Sequence, residues 1–258
     1  YKKKELVIRR GTLIQSSHIL VFKSLGIEKI DVKIKPNILF KHSHPYGPYI
    51  PKGAKKLIVG TLPPPRFTMG EFKEGDVNFC YGSRDGQLWI ILNRIFNLNL
   101  KFETTQEAIQ QRKDFLQTHQ IGICDMVEYA MREKIDASDL GMEEVKLRNM
   151  IQILKENPSI ETLLFTGGNS KNGPEYFFRK HIRDHKEIQL KRMSDEVPRI
   201  HEFNLEGRII TTVSLTAPSG AANRAVGSMQ HYKYLKQENP EMNTLDFRVL
   251  QYEPFFKA

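Results

Sequence analysis

The chain has 258 residues, room for one large α/β domain with an appendage, and its 40% hydrophobic content is enough for a sizeable core. Lys and Arg number 39 against 30 Asp and Glu, a net charge of +9 that points to a polyanionic partner, nucleic acid first. No apolar run approaches the ~18 residues of a membrane span, and the first ten residues lack the long apolar segment of a secretory signal.

In chain order, residues 1–40 read as an N-terminal extension, with Thr12–Leu25 drawn as a helix and Ile30–Ile34 as a short strand. Residues 41–258 read as the main domain. Phe40–Lys56 is rich in Pro, Gly and aromatic residues and is expected as an ordered loop. Leu57–Val59 predicts a buried parallel strand. It stops at Gly60, and Pro63–Pro65 allow neither strand nor helix to continue. A rigid loop therefore hangs from the carboxyl end of a central strand, where open α/β sheets bind ligands.

Further along, Leu88, Ile91, Leu92 and Ile95 predict a helix over Gly86–Asn97, and Gln106–His119 predicts a second. Ile121–Val127 is expected as a strand, Met142–Asn157 as a helix closed by Pro158, Thr162–Phe165 as a strand, Gly173–Asp184 as a helix, and Arg208–Val213 as a strand. Alternating strands and helices predict a three-layer α/β/α sandwich around a short, mainly parallel sheet. Its strand ends carry Gly60, the stretch Thr166–Asn169, and the loop Ser214–Gly227.

Two cysteines, Cys80 and Cys124, make neither a disulfide framework nor a zinc cluster, so a reducing compartment such as the cytoplasm is expected. The histidines lack thiol or carboxylate company at metal-ligand spacing, so no metal and no cofactor is expected. The short segment His44–Tyr46 is placed at the rim of the pocket.

Four segments carry a resemblance. Gly60-Thr61-Leu62-Pro63-Pro64 resembles the first motif of the uracil-DNA glycosylase superfamily, a Gly-x-x-Pro loop. Tyr81 with Gly86-Gln87-Leu88-Trp89 is similar to the aromatic, then Asn-x-Phe-Trp, stretch of its mismatch-specific and hypoxanthine branches. Ile121–Asp139 resembles their Gly-Ile-x-x-Asp-Val segment, and Leu215–Arg224 their last, DNA-entering loop. The resemblance covers residues 57 to 227 and implies a monofunctional DNA glycosylase. Such an enzyme flips a base out of DNA and hydrolyses its glycosidic bond to leave an abasic site. It departs from the pattern at Leu62 and Gly86, where the family carries its catalytic amide or carboxylate.

Cleaving a base–sugar bond passes through a cation-like sugar; a carboxylate or an amide can hold the water and stabilise the positive charge, and backbone N–H groups with polar side chains can support the leaving base. The catalytic candidates are Asp85, Asp125 and Asp76. Asp85 is also readable as a helix-capping turn residue and Asp125 as a structural hydrogen-bonding group. The base pocket is expected from Gly60, Thr61, Leu62 and Pro63, with Tyr81 or Phe79 stacking on the base and Asn169 reading its edge. DNA contacts are expected from Pro64, Arg66, Ser83 and Arg84, and from Ser214, Thr216, Ser219, Gly220, Ala221, Asn223 and Arg224. The altered motif leaves room for uracil, hypoxanthine or a modified cytosine of phage DNA, the last implying a defence role. The chain is expected to be a monomer. Two other classes stay open: a catalytically silent nucleic-acid-binding module on the same scaffold, and a hydrolase of free nucleosides or nucleotides.

Overall fold

A computed structural model describes residue 26 and residues 39–135, 141–194 and 196–257. The helix and strand expected at Thr12–Leu25 and Ile30–Ile34 lie outside these residues.

The first core strand is β2, Lys56–Gly60, preceded by β1, Phe40–Ser43. Side chains on β2 alternate between two apolar cores, one on each face of the sheet. Leu57 and Val59 join Met150, Leu163, Phe165 and Phe178, while Ile58 joins Leu92, Leu116, Ile123 and Leu164. The main sheet is completed by β3 (Ile121–Asp125), β6 (Thr162–Phe165), β7 (Lys191–Ser194), β8 (Arg199–Leu205) and β9 (Arg208–Ser214). Its order is β3-β2-β6-β9-β8-β7. The four strands β3, β2, β6 and β9 run parallel, and β8 and β7 add an antiparallel edge. Helices cover both faces, so the architecture is a mixed α/β fold around a mostly parallel sheet.

Local chemistry explains the helices. After the prolines, α1 spans Pro65–Met69; Pro65 occupies its first turn, where a missing N–H is tolerated. Apolar residues at helical spacing bury one side of α2, Leu88–Phe96. Thr105 caps α3, Gln106–Thr118, by accepting the Ala108 N–H at 3.2 Å. On the opposite face lie α4 (Met150–Glu156) and α5 (Pro174–His181). The chain closes with α6 (Asn223–Ser228), α7 (Gln230–Glu238) and α8 (Thr244–Lys257), the last packing against α2.

Two expectations need correction, and one hairpin was not anticipated. The stretch Ile121–Val127 is not one strand: β3 ends at Asp125, and Val127–Arg132 forms β4. The Met126 and Val127 N–H groups donate to Gly60 and Thr61 carbonyls at 2.8 and 3.1 Å, which turns the chain out of the sheet. With β1 and β5, Glu143–Leu147, β4 builds a separate antiparallel sheet of order β1-β4-β5. Consequently Met142–Asn157 is not one helix. Val145 and Leu147 alternate with charged residues at strand period and pack on the core, and α4 begins only after Asn149 accepts the Gln152 N–H at 3.0 Å. Finally, the β7–β8 hairpin has no counterpart in the sequence reading; within β8, His201, Phe203 and Leu205 face inward.

Candidate functional site

The carboxyl ends of β3, β2 and β6 and the loop after β9 surround a cavity of about 260 Å³. Asp125 ends β3 and sits in register with Gly60 at the end of β2. Thr61, Leu62, Pro63 and Pro64 follow β2 into the wall; Thr166 follows β6; Ala217, Pro218 and Ser219 follow β9. The opposite wall is the segment holding Tyr81, Gly82, Ser83, Asp85 and Gly86. It is stitched to the last loop by the Gln87 N–H donating to the Pro218 carbonyl at 2.8 Å and by pairing of Gly86 with Ser219.

Gly60 is the hub. A Cβ there would collide with the Tyr81 hydroxyl and with Asp125 Oδ1, so only glycine lets the phenol and carboxylate pack over this strand end. Tyr81, with a left-handed φ of 57°, lines the cavity. Its hydroxyl lies 2.8 Å from Thr166 Oγ1. Burial, reinforced by the Asp125 carboxylate, pushes the phenol well above its ordinary value, so it stays protonated.

Asp125 is 5% exposed and has a specific partner: its Oδ2 lies 2.7 Å from His44 Nε2. His44 Nδ1 accepts the Tyr46 N–H at 3.0 Å. The network therefore assigns the neutral imidazole its proton at Nε2, which donates to the carboxylate. The result is a fixed His–Asp pair at the cavity, built from a loop after β1 and the end of β3.

The other two carboxylates are placed differently. Asp76 is fully buried and is absent from the lining. Its oxygens accept four hydrogen bonds, from Arg66 Nε and Nη2 and from the Lys73 and Arg84 N–H groups, at 2.8 to 2.9 Å. Burial alone would raise its pKa, but these bonds outweigh it and hold the carboxyl below its ordinary value. With every acceptor position taken, Asp76 is a structural anchor for the 73–84 segment. Asp85 lines the cavity mouth with a side chain 70% exposed, 3.4 Å from Arg66 Nη2.

Of the expected pocket residues, Thr61, Leu62, Pro63 and Tyr81 line the cavity over Gly60. Phe79 does not: it lies in the core between Tyr49 and Trp89. Trp89 Nε1 donates to the Cys80 carbonyl at 2.9 Å, which locks this aromatic group as structure. Asn169 is exposed and outside the lining.

The expected DNA-contact residues separate into two groups. Pro64, Ser83 and Ser219 line the cavity, and Arg84, Gly220, Ala221 and Arg224 are exposed. Arg66 is turned toward Asp76, with Nη2 also 2.8 Å from Ser83 Oγ. Ser214 and Thr216 are buried and line a second cavity. The Asn223 amide oxygen accepts from Thr244 Oγ1 and Arg248 Nη1 at 3.0 and 2.9 Å, holding α6 to α8.

Sequence reasoning placed His44 only at the rim and missed Thr166 and Arg248. No spacing rule links His44 to a carboxylate 81 positions away. Arg248 is fully buried and donates to the Ala217, Ser219 and Thr244 carbonyls at 2.9 to 3.1 Å, which clamps the last loop from the C-terminal helix. Among the described residues no three His, Cys, Asp or Glu side chains are grouped to hold a metal ion, and no helix is long and apolar enough to cross a membrane.

No family model and no curated protein matches the chain. Among solved structures it resembles the solution NMR structure of a provisionally named uracil DNA glycosylase from Methanosarcina acetivorans, with TM-score 0.47 and 14% identity over 81% of this chain and 99% of that one. Likeness at that level carries no weight for function.

Proposed function

We propose that the chain is a monofunctional DNA glycosylase acting through Asp125. The observation that carries this reading is Asp125, which lines the cavity with the Leu62–Pro64 and Ala217–Ser219 loops and is held from outside the lining by His44. A carboxylate so held can orient a water behind the anomeric carbon and face the positive charge that grows there. As the water oxygen bonds to that carbon, the C–N bond breaks and its electron pair leaves with the base; Asp125 accepts the water proton. His44 keeps the carboxylate aimed by donating its Nε2–H to Oδ2. Tyr81, protonated and lining the cavity, offers a ring for stacking and a hydroxyl beside Thr166.

Among the described residues no lysine lines the cavity, which fits hydrolysis rather than a Schiff-base lyase step. The cavity lies just under the ~300 Å³ lower bound usual for ligand pockets, a size suited to one flipped base. Net charge +9 supports a DNA partner. Uracil, hypoxanthine and modified cytosine are the bases to test. Leu62 and Gly86, at the positions where the family carries polar catalytic groups, favour the second reading, a silent DNA-binding module.

The deciding experiment incubates the full chain with duplex and single-stranded oligonucleotides carrying uracil, hypoxanthine, xanthine, hydroxymethylcytosine or glucosylated cytosine, followed by alkali. Strand cleavage at one base, abolished by Asp125→Asn, supports the enzyme. Silence across the panel with salt-sensitive DNA binding supports the module.

A further inference from the structure

A second cavity, of about 320 Å³, opens beside the first at the ends of β6 and β9, and the two share Ala217. One buried charge lines it: Glu175, in the first turn of α5, 2% exposed. Burying a carboxylate is costly unless it is paired and hydrogen-bonded. Here Arg179 Nε donates to Oε1 at 2.7 Å, and Ser214 Oγ donates to Oε2 at 2.8 Å. A carboxylate offers about four acceptor positions, so each oxygen keeps one in reserve. Gly168 leaves the space beside Oε2 unfilled, since a Cβ there would come to 3.9 Å of that oxygen.

The rest of the lining suits a flat ring. Ala217, Ala222, Ala225 and Met229 give apolar walls, Thr216 brings a buried hydroxyl with no partner, and Arg199 stands exposed at the edge. A buried carboxylate with one acceptor position open on each oxygen, in a lining with apolar walls, matches a ring with two adjacent N–H donors on one edge. Guanine has them, at N1 and the 2-amino group. Adenine and cytosine set one amino donor beside a ring acceptor, and a ring acceptor would face a carboxylate oxygen.

We propose that this cavity is a guanine-binding subsite, with Glu175 accepting both donors of the base and Arg199 meeting a phosphate. That the guanine belongs to DNA, next to the nucleotide entering the first cavity, rests on the glycosylase reading; the pocket chemistry does not.

Ligand-detected NMR on the full chain with dGMP, dIMP, dAMP and dCMP tests this. dIMP differs from dGMP only by the missing 2-amino group. The expected result is dGMP binding about tenfold more tightly than dIMP, with dAMP and dCMP no better than dIMP. Glu175→Gln, which replaces one acceptor with a donor, brings dGMP to the dIMP level. Ala225→Leu narrows the cavity from an exposed helix position and weakens dGMP without touching the Arg179–Glu175–Ser214 bonds, so it decides the matter if Glu175→Gln does not fold. Equal affinity for dGMP and dIMP, or dGMP binding unmoved in Ala225→Leu, overturns the proposal. Base excision without guanine preference removes the subsite alone. Guanine preference without excision of any base removes the glycosylase reading and leaves the subsite standing.

Discussion

His44 Nε2 and Asp125 Oδ2 lie 2.7 Å apart, joining a loop after the first strand to the carboxyl end of β3. Because Nδ1 of the same ring accepts the Tyr46 N–H, the imidazole is held in one orientation and the carboxylate with it. Asp125→Asn should therefore lower single-turnover excision by about a hundredfold or more while leaving DNA affinity unchanged. His44→Gln should give a smaller loss, and Asp85→Asn little change, because that carboxylate is exposed at the mouth. A large loss confined to Asp85→Asn would transfer the catalytic role to the rim.

Gly60→Ala places a methyl group where the Tyr81 hydroxyl and Asp125 Oδ1 now sit. Overpacking of this kind costs about 1–3 kcal/mol, and here it also displaces the two groups that shape the cavity. Denaturant unfolding should show the stability loss, and excision should fall further than the stability change explains. Wild-type excision in a folded Gly60→Ala would mean that Tyr81 and Asp125 need not sit over the strand end.

Arg248→Met removes the donors that hold the Ala217 and Ser219 carbonyls and the Asn223 amide. Each buried acceptor left unsatisfied costs about 1–3 kcal/mol, so melting temperature should drop clearly. Faster amide exchange over residues 215–224 should accompany weaker DNA binding. Unchanged exchange there would show that the loop is held by other contacts.

Acid should destabilise the fold in a defined order. Burial, then the charge of Arg132, lowers His42 to about 4 from an ordinary 6.5. The unfolded chain thus takes up a proton that the folded chain refuses. Stability is full above about pH 6.5 and declines as pH falls toward 4. Asp76, also depressed, acts lower still: its contribution is present above its ordinary 3.8 and is lost as pH falls through its folded value. Urea midpoints against pH should show both, and His42→Gln should flatten the curve between pH 6.5 and 4. A slope unchanged in that variant would assign the loss to other groups.

Much of this architecture was legible in the chain itself. The short apolar run at Leu57–Val59, the helical spacing of Leu88, Ile91, Leu92 and Ile95, and the run Thr162–Phe165 identify elements by local periodicity, which needs no distant partner. The breaks at Gly60 and Pro63–Pro65 located the loop at the sheet edge for the same reason, since they act on their own φ angles and N–H groups. Other features depended on pairing. Glu143–Leu147 became a strand because β4 was there to bond it, and Asp76 became an anchor because Arg66 closed on it from ten residues away. Nothing local shows which of Asp76, Asp85 and Asp125 serves the cavity, although the first two lie in polar loops and the third in the apolar run Ile121–Val127. Only the assembled structure filled the acceptor positions of the first, exposed the second, and set the third against His44 over a bare glycine.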